Sequence, residues 1–193
     1  VSGSITTGGK TAHGIRNLGD TNSTDVSGRL ITSGKKGYAL SNKGDKNIVY
    51  LSGVISTEGD QAYGIWNVGD GNKTTFSGSI STKGVLSVGV SNIGDSNEVN
   101  ASGAIVTEGF TGYGLVNQGN KNLTIFSGTI ETKGGTAYGF WNIGNTSLTT
   151  LSGSIVTKGA FSYGVYSNGF TNNTAVSGSI TTEGDDAHGI AST

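Results

Sequence analysis

The stretch L-S-G-V-I-S-T-E-G-D-Q-A-Y-G-I-W-N-V-G-D-G-N-K-T-T, residues 51–75, decides the fold. Leu51, Gly53, Ile55 and Thr57 share one side of a two-residue alternation. Tyr63, Ile65 and Asn67 share one side of a second, and Asn72, Thr74 and the following Phe76 one side of a third. Alternation over runs this short marks half-buried strands. Gly59-Asp60 and Gly69-Asp70 punctuate the runs as turns. The stretch therefore reads as three short strands and three corners.

The pattern recurs without insertion or deletion through residues 1–193, which read as one domain. Units begin at Val1, Val26, Leu51, Phe76, Ala101, Phe126, Leu151 and Val176. In every unit the second residue is Ser, the third Gly, the seventh Thr and the ninth Gly, while the fifth and fifteenth are apolar. The third, ninth, fourteenth and nineteenth columns hold 30 of the 35 glycines, so glycine is positional here and not the mark of a flexible linker. A single unit cannot bury its own apolar stripe. Stacking like on like does so, with each strand pairing in parallel with its equivalent about 4.8 Å away in the next coil. The predicted fold is all-β: a single-domain parallel β-solenoid of about eight 25-residue coils, three short strands each, cored by the first, fifth and fifteenth columns. In that stack Asn17, Asn42, Asn67, Asn92, Asn117 and Asn142 form a structural amide ladder, and the seventh-column Thr stacks likewise. Glycines of the ninth and nineteenth columns take positive φ at the corners. Glu58, Lys83, Glu108 and Lys133 alternate in sign and meet between coils.

Composition narrows the partners. Net charge is −1, with 12 basic and 13 acidic residues in no block of either sign, so no nucleic-acid partner is expected. No run of 18 apolar residues occurs, so this segment is not expected to insert into a membrane. Cysteine is absent, which excludes disulfides, a thiol nucleophile and thiolate metal sites, and suits a secreted bacterial protein. Only 13% of residues are charged, so Ser, Thr, Asn and Gly must cover the surface.

The unit S-G-x-I-x-T-x-G-x-x-A-Y-G-I-x-N-x-G-D-x-N, as in Ser52–Asn72, resembles repeats of bacterial autotransporter passenger domains and related β-helical adhesins. The resemblance covers the whole chain. It implies a right-handed β-helix, secretion and display at the bacterial cell surface. The expected function is an extracellular structural or adhesive rod: a stalk or passenger segment of an adhesin, or a subunit of a surface filament, and not an enzyme. Neither end reads as a cap, so the chain is expected to be a segment of a longer rod or to self-associate head to tail into filaments. A host or glycan surface is the expected partner of the outward columns. The alternative class is a binding module for glycan or ice.

Candidate chemistry was weighed residue by residue. A glycan-cleaving site needs converging carboxylates, and the outward acids Asp25, Glu98 and Glu131 are scattered. His13 and His188 stand in a column otherwise held mostly by Tyr, so they read as packing residues, and their separation by seven coils rules against a shared metal. Asp20, Asp45, Asp70 and Asp95 follow Gly in N-x-G-D-x-N and read as Asx turns bonding their own backbone. The N-x-S/T triplets at Asn22, Asn72, Asn122 and Asn172 fall in an inward column and read as structural, unlike those at Asn100 and Asn145. Ice binding requires a flat outward Thr array, whereas the seventh-column Thr shares parity with buried Ile. Trp66, Trp141 and Tyr166, in the outward sixteenth column, form the candidate contact patch, since exposed aromatic faces stack on sugar rings. No catalytic residue, cofactor or metal ligand is assigned.

Overall fold

The computed structural model describes residues 1–193 and contains 23 strands and no helix. The strands form three parallel sheets of eight, eight and seven members. The first coil supplies Ser4–Thr7 to the first sheet, Ile15–Leu18 to the second and Ser23–Val26 to the third. Partners stand 25 residues apart, as in Ile80↔Ile105, Asn92↔Asn117 and Phe126↔Leu151. The chain is a β-solenoid in the register that its columns predict.

One continuous core runs along the axis. Ile55, Ile80, Ile105, Ile130 and Ile155 of the first sheet face Ile65, Val90, Leu115, Phe140 and Val165 of the second, all nearly inaccessible. First-column Leu51, Phe76, Ala101, Phe126 and Leu151 close the third side, joined by Val49 and Val99 from the twenty-fourth column. Each fully buried Ile or Leu contributes about 2–3 kcal/mol, relative to exposure.

Polar columns hold the stack beside this core. The Asn17 amide donates to Asn42 (2.7 Å), Asn42 to Asn67 (2.8 Å), Asn67 to Asn92 (2.7 Å) and Asn92 to Asn117 (3.0 Å). The Asn17 and Asn67 amides also donate to Thr24 and Thr74 of the twenty-fourth column, and the Asn117 amide donates to Thr124. The expected ladder is shorter than predicted. Asn142 is buried, but its Oδ1 has no partner: the Asn117 amide reaches Thr124 and not Asn142, and the next rung is Ser167. In the twenty-second column the side chain bonds backbone instead: Asn47, Asn72 and Asn97 each accept the N–H of the equivalent residue one coil earlier. The seventh-column Thr is buried as expected, but it does not form a ladder. Thr32 and Thr107 donate within their own coil to the carbonyls of Gly37 and Gly112, at 2.8 and 3.0 Å.

The corners depart from expectation in one respect. Nineteenth-column glycines do take positive φ, from 102° to 141°. Ninth-column glycines do not. They are needed for close approach instead, since a Cβ on Gly34 or Gly59 would run into the ninth-column backbone of the coil before. The left-handed residues are those of the eleventh and twenty-first columns, such as Lys36 (57°), Gln61 (55°), Leu86 (58°) and Lys121 (58°). A non-glycine residue there costs about 1–2 kcal/mol. Most are held by an intercoil backbone bond, such as Gln61 N–H to the Val85 carbonyl (2.8 Å) and Lys121 N–H to the Asn145 carbonyl (2.9 Å).

Candidate functional site

The outward face of the second sheet is built by a glycine. The alternation read from sequence puts the thirteenth column inward with the fifteenth and seventeenth. The structure reverses it. Gly64, Gly89, Gly114 and Gly139 of the fourteenth column turn toward the core, where a Cβ would meet the Cγ2 of Ile80, Ile105, Ile130 and Ile155 in the following coil, at about 2.5 Å. With the glycine inside, the residue before it faces out. The thirteenth-column tyrosines are half-buried on the surface beside the sixteenth and eighteenth columns.

Parallel register then stacks their rings. Centroids lie 5.0 Å apart for Tyr38–Tyr63, 5.2 Å for Tyr113–Tyr138 and 4.9 Å for Tyr138–Tyr163. These steps match the spacing of strands in a sheet, about 4.8 Å. His13 and His188 continue the column on Tyr38 and Tyr163, at 5.0 and 5.2 Å, so their packing role holds. His13 Nδ1 also accepts the Tyr38 N–H, at 3.1 Å. Burial raises the phenol pKa of Tyr38, Tyr63, Tyr113 and Tyr138, which keeps them neutral.

The sixteenth-column aromatics lie across this stack rather than standing free. Trp66 packs on Tyr38 (5.1 Å), Trp141 on Tyr113 and Tyr138 (5.1 and 5.5 Å), and Tyr166 on Tyr138 and Tyr163 (5.7 and 5.2 Å). All three are half-buried. Trp141 and Tyr166 adjoin at 6.5 Å, but Trp66 sits three coils away, so the three do not form one patch.

The fourth coil interrupts the face. Val88 stands where five coils have Tyr, and Ser91 stands in the sixteenth column. No ring contact joins Tyr63 to Tyr113 across them, although the Tyr63 phenol further raises the pKa of Tyr113. A groove of about 480 Å³ opens here, lined mainly by apolar and aromatic side chains. Ser91, Gln61 and Gln118 are its neutral polar members, and Lys36 is the one charged residue. Ser91 is 4% exposed, and its hydroxyl has no hydrogen-bond partner within the protein. The sequence carries one signal of this site, Val88 in a column of Tyr and His.

The other candidate residues have structural work. Glu131 pairs with Lys158 at 2.7 Å, which lowers its pKa, and Glu98 pairs with Lys73 at 2.9 Å. Glu58 with Lys83 (3.9 Å) and Glu108 with Lys133 (3.1 Å) meet between coils as their alternating signs predict. Asp20, Asp45, Asp70 and Asp95 do not bond their own turns. Each carboxylate accepts the N–H of the equivalent residue in the next coil, at 2.7–2.8 Å. Asn72 and Asn122 are buried, and so is the Asn42–Asn142 column, which offers nothing to a partner. No three His, Asp or Glu side chains gather into a set that could hold a metal ion. A second trough, of about 510 Å³, runs over the Ser-Gly corners of coils three to six and is lined by small residues. Compared with protein-family models, with curated proteins and with solved structures, the chain matches none.

Proposed function

We propose that the chain is an extracellular structural and adhesive rod of a bacterial surface, a stalk or passenger segment of an adhesin or a subunit of a surface filament, without catalytic activity. The observation that carries this reading is the unbroken register. Every strand pairs with its equivalent 25 residues away, and no coil inserts a loop that could wall an enzymatic cleft. Parallel ladders closed around one continuous core resist local opening, which suits a spacer. The resemblance of the repeat to autotransporter passengers points the same way.

The test is electron microscopy of the purified protein over a concentration series, with thermolysin digestion at 37 °C alongside. Stiff rods with a rise of about 4.8 Å per coil, intact through prolonged digestion, are the expected result. Rapid cleavage within the coils, or flexible particles with no axial repeat, would sink the rod. Filaments that lengthen with concentration would select the fibre subunit over the stalk.

A second reading, a glycan-binding module on the same scaffold, is favoured by the aromatic outward face of the second sheet.

A further inference from the structure

The ring column has one missing rung. His13, Tyr38 and Tyr63 follow one another below the fourth coil, and Tyr113, Tyr138, Tyr163 and His188 above it. With steps near 5 Å on either side, Tyr63 and Tyr113 stand about 10 Å apart, two strand spacings. Both rings line the groove that opens at the missing rung, and aromatic walls suit the face of a sugar ring. Val88, 5% exposed, lies at the floor of the groove between them.

We propose that this groove binds one neutral pyranose ring of an oligosaccharide, against Tyr63 and Tyr113. The proposal rests on the adhesive part of the function proposed above and names its ligand class. Charge and hydrogen-bonding capacity select the ring. No carboxylate lines the groove, and the single cation, Lys36, leaves no pairing for a multiply charged ligand. Ser91 presents a nearly buried hydroxyl with no partner in the protein, and Gln61 and Gln118 add neutral donors and acceptors around it. A sugar ring meets both requirements, with C–H faces for the tyrosines and hydroxyl edges for Ser91 and the two glutamines. A phenyl side chain from a protein partner would fill the same space and leave Ser91 unpaired, at a cost. Trp141, already packed against Tyr113 and lining the same groove, extends the platform for the next sugar.

The experiment titrates the intact chain with four neutral tetrasaccharides, of β-1,4-glucose, α-1,4-glucose, β-1,4-xylose and β-1,4-N-acetylglucosamine, and with p-cresol as an aromatic control. Calorimetry gives affinities, and NMR follows the Val88 methyls and the sugar protons. At least one tetrasaccharide should bind, with the protons of one sugar ring shifted upfield by the flanking tyrosines. Val88→Tyr completes the column as five other coils do, so it should fold and should weaken binding at least tenfold. Ser91→Ala should weaken it several-fold, and Tyr50→Ala, on the third sheet, should leave it unchanged. No binding by any tetrasaccharide overturns the proposal, as does affinity undiminished in Val88→Tyr, or binding of p-cresol alone. Microscopy and digestion of the same samples report separately on the rod.

Discussion

Ser91 and Asn92 are neighbours in one strand, on opposite sides of the second sheet, and their columns behave differently. Asn92 belongs to an interior column that is Asn in six coils; Ser91 belongs to an outward column that reads Arg, Ser, Trp, Ser, Val, Trp, Tyr and Ala. Inside, each amide must serve the coils above and below, and a substitution leaves a buried donor or acceptor unpaired. Outside, water or a neighbouring ring satisfies whatever is present. The solenoid therefore repeats where it must cohere and varies on its outward columns. The fourth coil shows the consequence. Ile80, Val90 and Asn92 keep the core in register, while Val88 and Ser91 open a groove on the surface.

Substitutions that cross this divide should differ in size. The largest effect is expected from Ile105→Asp, which puts an unpaired carboxylate in the central core: a loss of more than about 4 kcal/mol, read by chemical denaturation. A near-normal midpoint would mean that the first sheet's inward face is misassigned. Gly114→Val tests the glycine that turns Tyr113 outward. Its side chain would strike Ile130 Cγ2 and the Gly139 carbonyl, both at 2.5 Å, and should cost about 2–3 kcal/mol. Tyr113→Ala, on the outer side of the same strand, should cost about 1 kcal/mol; equal losses would erase the distinction between inside and outside. Asn92→Ala strands the buried Asn117 Oδ1 and should cost about 1–3 kcal/mol, against a few tenths for Asn145→Ala, whose exposed bond to the Phe170 N–H water can replace.

The smallest effect is one of pH. The His13 pKa is lowered, first by burial and then by Arg16, and neutral Nδ1 accepts the Tyr38 N–H. The unfolded chain therefore binds this proton more readily than the folded one. Stability should fall as pH drops through the ordinary imidazole range, about 6.5, and the loss should level off below the depressed folded value. His13→Tyr should flatten that part of the stability profile. Glu131, whose pKa is lowered by Lys158, adds a separate fall at more acidic pH in both proteins. A wild-type melting midpoint as high at pH 5 as at pH 7 would remove the imidazole from the argument.

Much of this was legible in the column alignment. The 25-residue register, the three sheets, the Ile and Leu core and the pairing of Glu58 with Lys83 follow from period-two alternation and from the need of each coil to bury its stripe against an equivalent one. The exception at Val88 and the small Ser91 were also visible as letters. Their adjacency in one groove was not, because position thirteen was assigned to the wrong side.

That assignment depended on contacts between coils. Gly114 turns inward because Ile130, sixteen residues later, fills the space beside it, and no alternation within one unit contains that neighbour. The Asp column is a similar case. Stacking brings the N–H of Asp70 to the Asp45 carboxylate, a partner that local turn geometry does not supply. The left-handed residues at Lys36 and Leu86 carry no glycine signature, since intercoil bonds to the Asp60 and Phe110 carbonyls hold them in place. The sequence by itself determined the repeat, its strands and its buried columns, because these rest on short-range alternation and on hydrophobic burial. Only the tertiary structure decided which way the thirteenth column faces and where the aromatic stack opens, because both depend on atoms brought together from neighbouring coils.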